Sequence, residues 1–420
     1  MSLLGSTSWA RQAIACLRLE RFTCDDSLLR IRALVRSPSW RLRCFAIRSL
    51  AARHAPPPED WLATQDDPRV VRTALRCGWA IDPGRMRAGY DRLSKSASLD
   101  DRMLAVEIAA ELDEPKLQKE AVDLLATVVS RMSRVEAGVL SGRIAAVTGA
   151  PDFGRDYRWR DWMQRNRHGL ALRRVRPLDD DRDASDAIAR LEPAHFIALV
   201  GHLDELGARD LDVAIAIDCT ASMFGELADA QGGVDNLIAF VGAVSRSVRF
   251  GLVAYRDRRD RDFETRGWDF TESIDEARTR LWSLSAEGGG DDPESVHPAL
   301  KLAYTKLSWR FDDPDRRRVL VLVGDAPPHP GTRSFCADLA RQGAAAKLVT
   351  HVIQARRRSR DGQPPKDVEG FPEIAAAGGG RCVTLDQDAT LTIEIAGLAV
   401  GDDFAPSMKH FFRQFLVLCR

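Results

Sequence analysis

The chain has 420 residues, 45% hydrophobic and 29% charged, with 61 acidic side chains set against 61 basic ones. That balance removes the case for a basic surface built to hold nucleic acid or an anionic membrane. No run approaches the ~20 apolar residues of a membrane span, and the length suffices for two or three domains. The eight cysteines are scattered without a CxxC pair, which argues against a zinc or thioredoxin-type redox site. Most sit in apolar patterns, where a free thiol behaves as a small hydrophobe in a reducing compartment. The opening MSLLGSTSWARQ has no long apolar core, so no signal peptide is expected and the expected location is cytoplasmic.

The first third carries a weak internal repeat. SWARQAIACL from Ser8, PSWRLRCFAIRSLA from Pro38, DPRVVRTALRCGWA from Asp67, DDRMLAVEIAAEL from Asp100 and MSRVEAGVLSGRIAAV from Met132 start about 30 residues apart. Each opens on a turn or capping residue such as Ser39 or Asp67, then places apolar residues at helical spacing, as at Val70, Val71, Ala74 and Leu75. Single hairpins of this kind cannot bury an apolar face alone, whereas stacked ones share a core. The Asp67-Pro68-x-Val70 pattern followed by Arg72 resembles HEAT-like repeats over roughly residues 5–150. The resemblance implies a scaffold with a concave protein-binding surface; the alternative is an unspecialised α-helical domain that only supports the second half.

Residues 151–208 are expected to cap and link. Tyr157, Trp159 and Trp162 interleave with Arg158, Arg160 and Arg165. That is the pattern of a base-stacking platform. With no basic excess in the chain, packing of Trp159 and Trp162 on one helix face is the better reading. Residues 178–185 read as a polar linker and Ala187 to Leu206 as one amphipathic helix.

From Leu211 the pattern alternates. LDVAIAID is a predicted strand, VDNLIAFVGAVSRS a helix, VRFGLVAYRD a strand and TRGWDFTE an edge strand. Helices follow in SIDEARTRLWSL and SVHPALKLAYTKL. RRVLVLVGD is a strand, RSFCADLARQGAAA a helix, LVTHVIQA a strand, FPEIAAAGG a short helix and GRCVTL a last strand, before helical segments including MKHFFRQFLVL. Such alternation predicts an α/β fold with a doubly wound, mostly parallel sheet. No GxGxxG or Walker A motif follows the first strand, which removes the nucleotide-binding readings. Instead, oxygen-bearing side chains gather at three separated strand or loop ends: Asp218, Thr220 and Ser222; the GGGDDPE stretch of 288–294; and Asp325 after VLVLVG. A carboxylate and two hydroxyls within five residues suit a hard cation such as Mg2+. The carboxyl end of a central strand is where open α/β sheets bind ligands.

These three elements resemble the von Willebrand factor A (vWA) domain and its metal-ion-dependent adhesion site. Asp218-x-Thr220-x-Ser222 matches the first element. Asp291 stands where many members carry threonine, and Asp325 matches the third. The stretch from VRFGLVAYRD to AEGGGDDPE looks most like the vWA modules attached to alpha-type kinases, although no kinase motif occurs. The resemblance covers about residues 209–400. It implies that Ser222 and Thr220 bind Mg2+ or Mn2+ directly, that Asp218 and Asp325 act through water, and that a partner's Asp or Glu completes the shell. Asp291 in place of threonine adds negative charge, which is expected to tighten cation binding and reduce dependence on the partner's carboxylate.

The expected organisation is therefore a HEAT-like α-helical domain over 1–150, a capping and linker segment over 151–208, a vWA domain over 209–400 and a C-terminal helix over 401–420. The expected function is metal-dependent protein–protein interaction by a bacterial scaffold, with no catalytic residue and no organic cofactor. By resemblance, an AAA+ ATPase of the MoxR or metal-chelatase type is an expected partner. A metal-dependent hydrolase or phosphotransferase using the same cation is the alternative, and would need a general base beside the metal. Ser222, His297 and Asp325 are the residue types of a hydrolase triad, but no GxSxG elbow is present. His329 reads as a surface loop histidine, with tuning of the site as the alternative; Asp257 as part of a solvated charge run, with support of the metal shell as the alternative; and Glu294 as a first-turn helix residue, with a place behind the metal's direct ligands as the alternative.

Overall fold

The computed structural model describes residues 2–6, 8–22, 24–56, 58, 67–79, 81–112, 114–174, 182–258, 260–290, 293–355, 367–385 and 391–419. They form two compact units. One comprises Met1–Asp204 with Arg413–Arg420, the other Glu205–Phe412. Among the described residues no helix is long and apolar enough to cross a membrane.

The first unit is all-helical. Its helices are α1 (Trp9–Leu19), α2 (Asp25–Leu34), α3 (Trp40–Ala52), α4 (Pro68–Arg76), α5 (Pro83–Leu93), α6 (Leu99–Glu111), α7 (Pro115–Arg131), α8 (Arg134–Thr148), α9 (Asp156–Asn166), α10 (Arg182–Ala189) and most of α11 (Pro193–Ala208). Near neighbours in sequence pack on one another: α1 on α3, α3 on α4, α5 on α6 and α6 on α7. The expected caps are present. Ser39 accepts a hydrogen bond from the Leu42 amide and Asp67 from the Arg69 amide, with Pro68 in the first turn. The Asp-Pro-x-Val pattern also explains its arginine. Arg72 turns inward to meet Glu107 at 3.2 Å, and Arg143 grips the same carboxylate at 2.8 and 3.0 Å. Burial raises the Glu107 carboxyl, but the two guanidiniums outweigh it and hold the group below its ordinary value.

Trp159 is fully buried, edge-on to Trp162 at 5.8 Å, and donates its indole N–H to Ser141 Oγ at 2.6 Å. The pair is therefore packing, as expected. Two linker expectations are corrected. Residues 182–185 lie in α10 rather than in a polar linker, and residues 178–181 fall outside the described residues. The single helix expected over 187–206 is broken by Pro193, whose ring disfavours helical backbone at Glu192 and which instead opens α11.

The second unit is built on a six-stranded sheet: β1 (Asp210–Asp218), β2 (Ser247–Tyr255), β3 (Thr265–Thr271), β4 (Arg317–Gly324), β5 (Leu348–Gln354) and β6 (Gly379–Thr384). The order is β3-β2-β1-β4-β5-β6. All pairings are parallel except β2 with β3, the antiparallel edge strand. β1 is flanked on both sides and buried along nearly its whole length, as its unbroken apolar run requires. Ala214, Ala216 and Val253 face α14 (Val296–Lys306), α15 (Arg333–Ala345) and α16 (Phe371–Ala377) in one apolar cluster. Around the sheet also pack α12 (Phe224–Val244), α13 (Ile274–Trp282) and α17 (Leu391–Val400). Phe240 of α12 meets Phe411 and Phe412 of α18 (Ala405–Cys419) at 5.6 and 4.7 Å. The chain leaves β1 toward β2 and later returns to the opposite side as β4. The winding thus reverses between β1 and β4, and Asp218 and Asp325 stand at the carboxyl end of that reversal.

Candidate cation site

At the end of β1 the Asp218 carboxylate turns the chain on itself. Its Oδ1 accepts the Thr220 amide at 2.8 Å and the Thr220 hydroxyl at 2.7 Å. Thr220 Oγ1 lies 3.2 Å from Ser222 Oγ. Asp218 is wholly buried, Thr220 nearly so, and Ser222 is exposed, so the hydroxyl pair leads from the interior to solvent. The turn is tied to its neighbours through Cys219, whose amide donates to the Tyr255 carbonyl at 2.8 Å and whose carbonyl accepts from Glu287 at 3.0 Å. The Ala221 amide donates to the Gly288 carbonyl at 3.2 Å. The Gly-rich loop is thereby laid beside the hydroxyls.

Asp260 holds that loop. Its Oδ2 accepts the Gly289 amide at 3.2 Å and the Asp257 amide at 3.1 Å. Gly288 and Gly289 have φ of +75° and +68°, left-handed backbone that favours glycine, and a Cβ on Gly288 would overlap the Asp260 carboxylate. On the other side, Gly324 allows β4 to deliver Asp325. A Cβ there would overlap the Tyr255 hydroxyl, which donates to the Val323 carbonyl at 3.0 Å, and would sit 3.5 Å from the Asp218 Cβ.

Carboxylates are crowded here. Burial pushes the Asp218 carboxyl up to about 7, with like charge from Asp325 and Asp260 adding to the rise and the two Thr220 hydrogen bonds opposing it. Burial, then the charges of Asp218, Asp257, Asp325 and Asp260, push Glu294 up to about 9. Among the described residues, Asp218 Oδ2 and Glu294 Oε2 are buried without a hydrogen-bond partner.

The donor set suits a hard divalent cation. Adjacent oxygens of an octahedral shell at 2.0–2.1 Å lie about 3 Å apart, close to the 3.2 Å between the two hydroxyls. Among the described residues no three His, Cys, Asp or Glu side chains form a metal-holding group by themselves. A cation here would therefore depend on Thr220 and Ser222 as well as on carboxylates.

Of the five residues singled out by sequence, Asp218, Thr220 and Ser222 form one hydrogen-bonded chain, and Asp325 follows the neighbouring strand. Asp291 lies outside the described residues. Three readings are corrected. Asp257 is buried rather than solvated, and His329 is a half-buried partner whose Nε2 lies 3.2 Å from Asp257 Oδ1 rather than a surface histidine. Glu294 precedes α14 instead of opening it. It forms a bridge with Pro328 and is only 4% exposed. The His297 ring lies tilted against Phe335 at 5.9 Å, and no hydrogen bond joins it to Ser222 among the described residues. Asp260 escaped sequence reasoning, as did the burial of Asp257 and Glu294, because charged residues in loops give no periodic signal of burial.

Residues 212–387 match the family model of the von Willebrand factor A domain. The match spans the whole sheet apart from the first two residues of β1 and takes in every residue of the crowded carboxyl end. A curated relative is a putative ariadne-like RING finger protein of Acanthamoeba polyphaga mimivirus, 28% identical over 120 residues. The match covers 28% of this chain and 11% of that protein, so the chain spans about a tenth of the relative's length. A solved structure that is similar is the pilus adhesin SpaC from Lactobacillus rhamnosus GG in its open conformation. Its TM-score is 0.34 at 11% identity, over 50% of this chain and 30% of that one. The vWA region is thus preceded by an all-helical region of about 200 residues.

Proposed function

We propose that the vWA region is a divalent-cation-dependent protein-binding module without catalytic activity. Ser222 and Thr220 would hold Mg2+ or Mn2+ through their hydroxyls, with Asp218, Asp325 and Asp291 supplying negative charge around it. Such an ion, when bound, offers a Lewis-acidic position that an Asp or Glu of a partner protein can fill. The observation that carries this reading is the pair of hydroxyls 3.2 Å apart beside the buried, unpartnered Asp218 Oδ2. A buried anionic oxygen without a donor is unfavourable unless a cation completes it. Phe224 and Phe335, both more than half exposed, add apolar surface for an interface around the ion.

The helical region is proposed as the scaffold half, its HEAT-like array presenting a second protein-binding surface. An AAA+ ATPase is the class of partner that the vWA resemblance brings forward. Affinity capture with the full chain tests the proposal. Partners retained in Mg2+ and released by EDTA, and absent from an Asp218→Ala bait of unchanged circular dichroism, are expected. Capture indifferent to both changes would contradict it.

A further inference from the structure

We propose that Glu294 is a resident carboxylate ligand of the cation, so that the site carries its own acidic ligand before any partner arrives. The inference rests on the cation reading above and adds a residue to it.

The backbone fixes where Glu294 can act. Its amide donates to the Pro327 carbonyl at 2.9 Å and it bridges to Pro328, two and three residues beyond Asp325. The next amide, of Ser295, donates to the Arg256 carbonyl at 3.2 Å, just beyond β2. Glu294 is thereby strapped between the exits of β2 and β4, on either side of Asp218. These ties fix the position of its Cα between the two strand ends.

The side chain points the same way. A Cβ built on Gly289 would lie 3.3 Å from Glu294 Oε1 and 3.0 Å from the Thr220 Cβ, so the carboxylate and the threonine flank one glycine. Glu294 is 96% buried, and Oε2 has no hydrogen-bond partner among the described residues. Leaving such an oxygen unsatisfied is unfavourable, and the carboxylates of Asp218, Asp257, Asp260 and Asp325 around it make it more so. Buried charges in folded proteins are paired or coordinate metals. No cationic side chain is among the groups that act on Glu294, and a cation beside Thr220 would supply the missing partner and offset the surrounding carboxylates.

A structural role and a ligand role predict opposite behaviour. Glu294→Gln replaces the crowded carboxyl by a neutral amide at nearly constant volume and removes its capacity to bind a cation as a carboxylate. In EDTA it should melt at or above the wild-type temperature. With Mn2+ as probe, titrated calorimetrically into the full chain, it should bind at least tenfold more weakly than wild type. Glu294→Asp keeps the charge but shortens the reach by one methylene. A ligand role predicts that it also loses affinity, and this variant decides the matter should Glu294→Gln fail to fold. Wild-type affinity in either variant, with Mn2+ binding abolished in Asp218→Ala, would overturn the role of Glu294 while leaving the cation site standing. Absence of Mn2+ binding by the wild type would overturn both.

Discussion

The placement of Asp325 beside Asp218 depends on a glycine, and that dependence can be measured. In Gly324→Ala the new methyl would collide with the Tyr255 hydroxyl, while its distances to Phe371 Cζ and Asp218 Cβ, 3.4 and 3.5 Å, are ordinary contacts. Overpacking of a tight interior costs about 1–3 kcal/mol, and β1, β2 and β4 are each held on both sides, so the upper half of that range is expected. Tyr255→Phe removes the hydroxyl and its 3.0 Å hydrogen bond to the buried Val323 carbonyl, which keeps its place in the β1–β4 ladder, at about 0.5–1.5 kcal/mol. In the double variant nothing remains for the methyl to strike. The sum should therefore fall short of additivity by about 1–2 kcal/mol, within the range measured for contacting residues. Native-state hydrogen exchange of β1, β2 and β4 amides in the four proteins reports the opening free energy of this sheet directly. Additivity to within about 0.5 kcal/mol would show that the hydroxyl is not what Gly324 accommodates.

Glu107→Ala leaves Arg72 and Arg143 buried without their shared carboxylate and should destabilise the helical unit by about 3–5 kcal/mol in urea; a change below about 1 kcal/mol would refute the buried pairing. Because the folded Glu107 carboxyl is held below its ordinary value, its contribution is complete above about pH 4.3 and drains away as pH falls through the folded value. Glu107→Gln should accordingly flatten the loss of stability on acidification, and an unchanged acid limb in urea melts would contradict this. Gly288→Ala forces a Cβ into left-handed backbone, at roughly 1–2 kcal/mol, and against Asp260. It should weaken Mn2+ binding by displacing the loop from Thr220, whereas wild-type affinity would separate that loop from the site.

The sheet was legible because its strands are buried on both faces. Leu211 to Ile217 and Val319 to Val323 are runs that polar surface strands do not show. The edge strand β3 was legible for the opposite reason, its alternating exposure. The start of α12 was not. Gly225 and the Gly232-Gly233 pair lower helix propensity, and the helix that runs back to Phe224 is packed against α17, α13 and β2. In the site, Asp218, Thr220 and Ser222 were legible through spacing alone, since a turn at a strand end brings alternate residues together. Asp257 and His329 are 72 positions apart and meet through β2 and β4, which flank β1. Glu294 is buried by a bridge to Pro328 that no local pattern announces. Pairings across a sheet depend on strand order, and strand order is a property of the whole fold.

The central claim is that the carboxyl end of β1 binds a divalent cation, and isothermal titration of Mg2+ into the chelator-treated full chain tests it most directly. Saturable binding of one ion by the wild type, abolished in Asp218→Ala with secondary structure intact, is the predicted result. It should be accompanied by a thermal stabilisation of the wild type alone, about 2.7 kcal/mol at a hundred times Kd. No heat of binding and superimposable melts in Mg2+ and EDTA would contradict the account.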